Sequence, residues 1–534
     1  MSISRRSLLK SSVAAATASA FPAIGRAQTS VAAAKTLQVV KAGDLRVFDP
    51  IWTTANITGD HGAMIYDTLF GLDENFKAQG QMVGRWGVSD DKKTYTFELR
   101  DGLGWHDGAP VTAADCVASI RRWGQVDAGG QLVMARAQDI SKKDDKTFRI
   151  TLKEPFALLV DVLAKLSTPC LFVMREKDAS RPGTEQVTDN IGSGPFIFNK
   201  DLAKPGVSFT YDRNPKYVPR SEAPSGMAGG KIAKVERIVW QNISDSQTGM
   251  AALQSGEIDY LERLPMDLLA VLEADPNIKV DVLNKGGDDA YIRMNFLQKP
   301  FDNVKARQAM LHLVDQEAFM RAAFGDPRFF KPLKSLFGNN TTISNDENTG
   351  WFKPGGDIEK AKQLFKESGY AGEPVVILQP TNSPWQDNAS QFLASVLRKA
   401  GVNAQLAPSD WGGVVTRRAK KTPISEGGWS IFITLDSDYS HGEPLTTSFL
   451  LASGEKAWYG WPKDDQYEAL RAKYADAPSP DDRKALARQM QARWWDFVGA
   501  VYIGARQTPV AYRKNITGFI GIPEVIPMWN VEKG

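Results

Sequence analysis

Strict alternation of apolar and polar side chains marks the first confident element, Tyr95-Thr96-Phe97-Glu98-Leu99, which predicts a half-buried strand. Phe148-Arg149-Ile150-Thr151-Leu152 repeats the pattern and stops at Glu154-Pro155. Between them Thr112 precedes Asp115 by three positions, close to a capping box, and the helix it opens places Val117, Ile120 and Trp123 on one face. Residues 36–40 form a short β-like run that closes in the Phe48-Asp49-Pro50 turn. Further on, strands are predicted over 234–240 and 291–296, a helix over 246–256 with Gly256 as its stop, an extended segment over 258–261, and one helix from Asn303 to about Phe324.

The third quarter of the chain alternates helices with apolar strands. Asp357 opens a helix with Ile358, Ala361, Leu364 and Phe365 at helical spacing, and Gly369 ends it. Strands are expected over 375–378, 402–406 and 429–434, with a helix over 389–400 that Gly401 stops. Helices between apolar strands argue for an α/β domain with a largely parallel sheet. Glycine and proline punctuate 192–206, which reads as a boundary, and no internal repeat or low-complexity run interrupts the chain.

Length and charge narrow the class. The 534 residues correspond to about three folding units at roughly 150 residues each. Lys and Arg total 65 against 62 Asp and Glu, but Arg5, Arg6, Lys10 and Arg26 fall in the first 27 residues, where there is no acid. The remainder carries 61 cations against 62 acids, so it lacks the basic footprint of a nucleic-acid binder. The cationic start itself resembles an export signal. A twin-arginine stretch, Ser4-Arg5-Arg6-Ser7-Leu8-Leu9-Lys10, precedes a short apolar run at 13–21 and the small residues of Gly25-Arg26-Ala27. Cleavage is expected after Ala27, with no cysteine nearby to carry a lipid anchor, and a periplasmic location follows. Of the two cysteines, Cys116 and Cys170, a pair or two buried free thiols are both open, and free thiols are the expectation.

Catalytic chemistry is absent from the sequence as read. His61, His106, His312 and His441 lie at least 45 residues apart, so no pair has zinc-like spacing. Gly192-Ser193-Gly194-Pro195 fails as a phosphate loop, because Pro195 removes an amide, and fails as a nucleophile elbow; it reads as a tight crossing. Asp436-Ser437-Asp438-Tyr439-Ser440 begins like a calcium loop, but the glycine sits at the seventh place and the twelfth is Thr447. No cofactor, no metal and no catalytic residue is therefore expected. Fourteen tryptophans are more suggestive, since several, Trp52, Trp385, Trp429 and Trp458 among them, fall near turns or strand ends. They suit either rim packing or an aromatic ligand cleft.

Several segments, in order, carry a family pattern: Phe48-Asp49-Pro50 with Tyr66-Asp67-Thr68-Leu69; Leu99-Arg100-Asp101-Gly102 with His106-Asp107-Gly108-Ala109-Pro110-Val111-Thr112; Ile191-Gly192-Ser193-Gly194-Pro195-Phe196; Arg213-Asn214-Pro215; Ala251-Ala252-Leu253-Gln254-Ser255-Gly256-Glu257-Ile258-Asp259; and Phe301-Asp302-Asn303-Val304-Lys305-Ala306-Arg307. Together they resemble the peptide/nickel-type (family 5) extracellular solute-binding proteins of ABC importers, the dipeptide- and oligopeptide-binding group. Most of these positions, His106 included, look structural. The resemblance implies an α/β, two-lobed periplasmic binding protein fold with an additional subdomain in the first lobe. It divides the chain into a signal peptide at 1–27, first-lobe parts at 28–71 and 190–289, the subdomain at 72–189, the second lobe at 290–499, and a return to the first lobe at 500–534.

The function it implies is non-catalytic capture of a peptide or similar small polar solute between hinged lobes. The partners implied are that ligand and an inner-membrane ABC permease, with the receptor a monomer and no nucleic acid involved. A metal-chelate receptor, for which His441 is the one supporting residue, is the alternative, and an exported hydrolase a further one. In peptide-binding relatives ligand backbone pairs with a strand edge after Gly-Trp, which maps onto Trp429 and Ser430 here. Asp436, Asp438 and the adjacent Tyr439 are the candidates for an ammonium anchor, though they follow the tryptophan at a longer spacing than the family's. Arg293, in a predicted crossing strand, suits either a ligand carboxylate or a structural acid. Trp52, Thr54 and Asn56, after the first strand, complete the expected ligand contacts.

Overall fold

A computed structural model describes residues 35–534, so the twin-arginine stretch and the expected cleavage point lie outside the described residues. Two sheets organise the rest. The first has seven strands in the order Ile278–Asp281, Val510–Arg513, Tyr260–Leu261, Thr36–Val40, Arg237–Gln241, Ser208–Arg213 and Phe196–Phe198. Thr36–Val40 runs parallel to both neighbours, and the outer pairs are antiparallel. The second has six strands, in the order Phe330–Lys331, Val501–Arg506, Asp288–Met294, Ile431–Ser437, Val375–Pro380 and Ala404–Ser409. Each sheet has its own apolar core, one drawn from 37–283 with 510–531 and the other from 290–505.

The second sheet is not largely parallel, as its helix–strand alternation suggested. Only Val375–Pro380 pairs in parallel, with Ala404–Ser409 and at one position with Ile431–Ser437. Asp288–Met294 is flanked on both sides by antiparallel strands that arrive from far along the chain. Local alternation carries no information about such partners. The expected boundary near 499/500 also falls one strand early, because Val501–Arg506 belongs to the second sheet and the chain crosses back between Arg506 and Val510. The other crossing lies between Asp281 and Asp288.

A separate four-stranded antiparallel sheet, in the order Val83–Val88, Thr94–Leu99, Thr147–Leu152 and Ala137–Lys142, packs against the Ala113–Val126 helix. Thr112 N–H donates to Asp115 Oδ2 at 2.7 Å, and Val117, Ile120 and Trp123 are buried, as the spacing predicts. Gly256 and Gly369 end their helices with φ of 81° and 79°. The single helix expected from Asn303 to Phe324 is two, Val304–Leu313 and Gln316–Phe324. Val314 turns extended between them, and the Gln316 amide is anchored on Leu333 O and Tyr502 O at 2.6 and 3.1 Å.

Cys116 and Cys170 are both buried and free. The Gly192–Gly194 segment crosses the end of the Asn56–Ile65 helix so closely that a Cβ on Gly192 would lie 1.7 Å from Ile65 O. His106 braces that crossing, its Nδ1 accepting from Gly192 N–H at 3.1 Å. Among the described residues no helix is long and apolar enough to cross a membrane.

Candidate functional site

Where the chain crosses between sheets, two clefts open between the lobes and share Leu283 and Asn284 in their walls. The larger encloses about 980 Å³ and takes Phe76 from the first lobe and Asp438 and Tyr439 from the second. The smaller, about 670 Å³, is lined by Asn56, Trp385, Asp288, Arg506 and Glu524 among others. The lobes touch around these clefts. Phe76 stacks on Tyr439 with ring centroids 5.3 Å apart, Arg328 pairs with Glu273 at 2.9 Å, and Arg136 pairs with Asp476 at 2.7 Å.

The expected contacts separate into three groups. Asp438 and Tyr439 line the larger cleft and Asn56 the smaller. Trp52 is exposed, with its indole N–H on Thr184 O at 3.3 Å, and Thr54 offers its carbonyl to Thr168 Oγ1 at 2.9 Å; neither lines a cleft described above. Trp429, Ser430 and Arg293 are fully buried in the second lobe. Ser430 gives its N–H to Val376 O and its carbonyl to Asn295 N–H, both at 2.9 Å, so no free strand edge exists there for β-augmentation. Trp429 packs with Phe432 and Trp461 and donates to Arg418 O at 3.1 Å. The end of Ile431–Ser437 that faces the cleft is the other one. Arg293 pairs with no structural acid within 4.0 Å: its guanidinium donates to the carbonyls of Tyr459, Gly499 and Phe449 at 2.8, 3.2 and 3.4 Å, and its Nη2 is buried without a partner.

Asp436, at the cleft end of that strand, accepts from the Tyr291 hydroxyl, and burial pushes its carboxyl up to about 6 against the opposing pull of that bond and of Arg418. Arg418 was not singled out by sequence. Its guanidinium lies 4.7 Å from the Tyr459 ring centroid, 5.2 Å from Trp458, 5.4 Å from Trp411 and 5.5 Å from Phe432, and its buried Nε has no hydrogen-bond partner. The only signal was the Arg417-Arg418 pair ending a short helix, which is a common place for basic residues. A second omission is Asp289, opposite Asp436 in the ladder. Both its oxygens are buried without partners, and burial with Asp438, Asp288 and Asp436 nearby raises its carboxyl well above the ordinary range. His441 lies 3.8 Å from it and bonds Tyr502 Oη at 2.5 Å; burial lowers the imidazole to about 3, so it is neutral. Among the described residues no group of three or more His, Cys, Asp or Glu is arranged to hold a metal ion.

One bond across the lobes is sensitive to protons. Ser437, in the second sheet, hydrogen-bonds Glu524, whose neighbours Val525 and Ile526 pack on the first-lobe core. Glu524 holds a left-handed backbone, φ 68°, a costly conformation for a side-chain-bearing residue. Burial, with Asp436, Asp288 and Glu443 adding repulsion, raises its carboxyl to about 8. A carboxyl raised in this packed arrangement stabilises it fully below the ordinary carboxylate value and ceases to do so as pH rises through about 8, burial among acids outweighing the Ser437 bond, which favours the ionised form. The radius of gyration of ligand-free protein, by small-angle X-ray scattering, should therefore grow between pH 6 and pH 9. Glu524→Gln should flatten the profile, and a flat wild-type profile would refute the latch.

Comparison with known proteins agrees with this architecture. The family model described as bacterial extracellular solute-binding proteins, family 5 Middle, matches residues 77–447. A probable peptide ABC transporter periplasmic-binding protein, y4tO of Sinorhizobium fredii, is 61% identical over 536 residues, covering 100% of both chains. Among solved structures, the binding protein AgaA of A. tumefaciens R10, in complex with agropinic acid, superposes with a TM-score of 0.77 at 22% identity, covering 93% of this chain and 99% of that one. DppA of Helicobacter pylori, in complex with the peptide STSA, gives 0.75 at 20% identity, covering 93% and 98%.

Proposed function

Because the chain belongs to the family 5 bacterial extracellular solute-binding proteins, we propose that it is the periplasmic peptide-capturing component of an ABC importer. In this reading a short peptide enters between the lobes, closure encloses it, and the closed form is what the permease receives. Export by the twin-arginine signal with cleavage after Ala27, and action as a monomer without cofactor, complete the proposal.

The ligand assignment rests on Arg418, whose charge acts on Asp436 at the cleft end of the Ile431–Ser437 strand, outside the linings of the two clefts described above. A guanidinium walled by aromatic rings with an unsatisfied Nε is costly unless an acceptor arrives, and a peptide carboxylate supplies one in two-toothed geometry. Asp436 offers the opposite charge for a ligand ammonium. Between the lobes, a ligand that touches both biases the open–closed equilibrium by its differential contacts.

Titration of the purified protein with pools of di-, tri- and tetrapeptides, followed by tryptophan emission and by scattering, tests this. Saturable binding with compaction is expected for at least one pool. Well-folded protein that answers to none of them, while binding an opine or a nickel–histidine complex, would replace the peptide reading.

A further inference from the structure

We propose that the ligand carries a cationic side chain, so that this receptor selects basic over acidic peptides. The inference rests on the reading of the interlobe cleft as the ligand site and adds the charge class of what enters it. The 980 Å³ cleft has carboxylates on every wall: Glu74 and Asp161 from the first lobe, Asp281 from the crossing segment, Asp438 and Glu443 from the second lobe. Lys77 and Lys285 are its only cations.

Several carboxylates lining the two clefts are already satisfied by the protein. Lys279 lies 2.8 Å from Asp281, and Asp438 accepts from the amides of Asn339 and Asn340. In the smaller cleft Lys41 holds Asp60 and Glu262 at 2.7 and 3.0 Å, and Arg506 lies 3.4 Å from Asp288. Glu443 accepts from the hydroxyls of Tyr439, Ser167 and Thr446. Glu74 and Asp161, both exposed at the larger cleft, have among the described residues no cation within 4.0 Å. Burial raises the carboxyl of Asp161 against the pull of Arg483, and that of Glu443 against the pull of Tyr439, Lys165 and Ser167.

Aromatic rings stand between these acids. Phe76, Tyr439, Tyr474 and Phe519 line the same cleft. Phe76 is 45% exposed and held at φ 57°, a strained conformation for a bulky residue that keeps the ring against Tyr439 of the other lobe. Ring faces beside carboxylates receive a guanidinium or ammonium and its apolar stem together. An acidic side chain entering the same space meets like charge, the arrangement by which interfaces reject wrong partners.

Isothermal titration of the purified protein with alanine tripeptides carrying lysine, alanine or glutamate at each position tests the inference. At the best position the lysine peptide should bind about tenfold tighter than trialanine, and the glutamate peptide weaker, with the spread shrinking as salt rises. Asp161→Asn combined with Glu443→Gln should reduce the lysine-to-alanine ratio several-fold. Equal affinities across the panel, or a glutamate preference, would overturn the charge selection and leave peptide capture standing. Absence of binding by every tripeptide, with the di- and tetrapeptide pools equally silent, would overturn both.

Discussion

Replacing Arg122 with methionine is expected to destabilise the first lobe by about 3–5 kcal/mol, the cost of leaving one partner of a buried ion pair alone. Arg122 and Asp49 are both fully buried and meet at 2.7 Å. The same guanidinium also donates to Glu185 O at 2.6 Å and to Arg181 O and Pro182 O at 2.9 Å each, tying the Ala113–Val126 helix to the 181–185 loop. Asp49 spends its remaining capacity on the amides of Ile51 and Val187, at 3.0 and 2.9 Å. Methionine fills much of the space but leaves the Asp49 charge uncompensated and three carbonyls short of a donor. Urea unfolding followed by tryptophan emission should show the midpoint moving to lower denaturant. Asp49→Asn combined with Arg122→Met should recover a substantial part, because removing both charges is far cheaper than removing one. An unshifted midpoint in the single variant would contradict the account.

The Asp49 joint also shows how much of this fold was legible in the chain. Phe48-Asp49-Pro50, the His106 turn and Gly192–Gly194 form part of the family resemblance, and each is a structural joint in the first lobe. Each is announced by a few consecutive turn-forming residues, which is what makes it visible, although the partners it joins, Arg122, Gly192 and Ile65, come from far along the chain. The pairing of Asp288 with Arg506, 218 residues away, is not so announced, and it is what makes the second sheet mainly antiparallel and shifts the crossing past Arg506. The site was legible to the same degree. Asp438, Tyr439 and Asn56 line the clefts because they sit at element ends near the crossings. Trp429 and Ser430 sit at the wrong end of their strand, since alternation does not say which end meets the other lobe. Arg418 was invisible because its surroundings come from 411, 432, 458 and 459, assembled only by folding.

Arg418→Met should weaken binding of a peptide with a free C-terminus by about 2–5 kcal/mol, roughly 30-fold to several-thousand-fold in Kd. Methionine keeps contact with the Trp458 and Tyr459 rings, so the loss reports charge and donors in place of packing. The decisive comparison is a double cycle. C-terminal amidation of the peptide should cost the wild-type protein heavily and the Arg418→Met protein little, because the variant no longer recognises the group that amidation removes. Asp436→Asn, paired with N-acetylation, makes the same test at the other end. Its neighbour Tyr291 still donates to the amide oxygen, so the second lobe retains its hydrogen bond while losing its charge. Additive losses in both cycles would show that the two residues serve only the interior of the lobe, and the caged arginine would then have to find its acceptor in water.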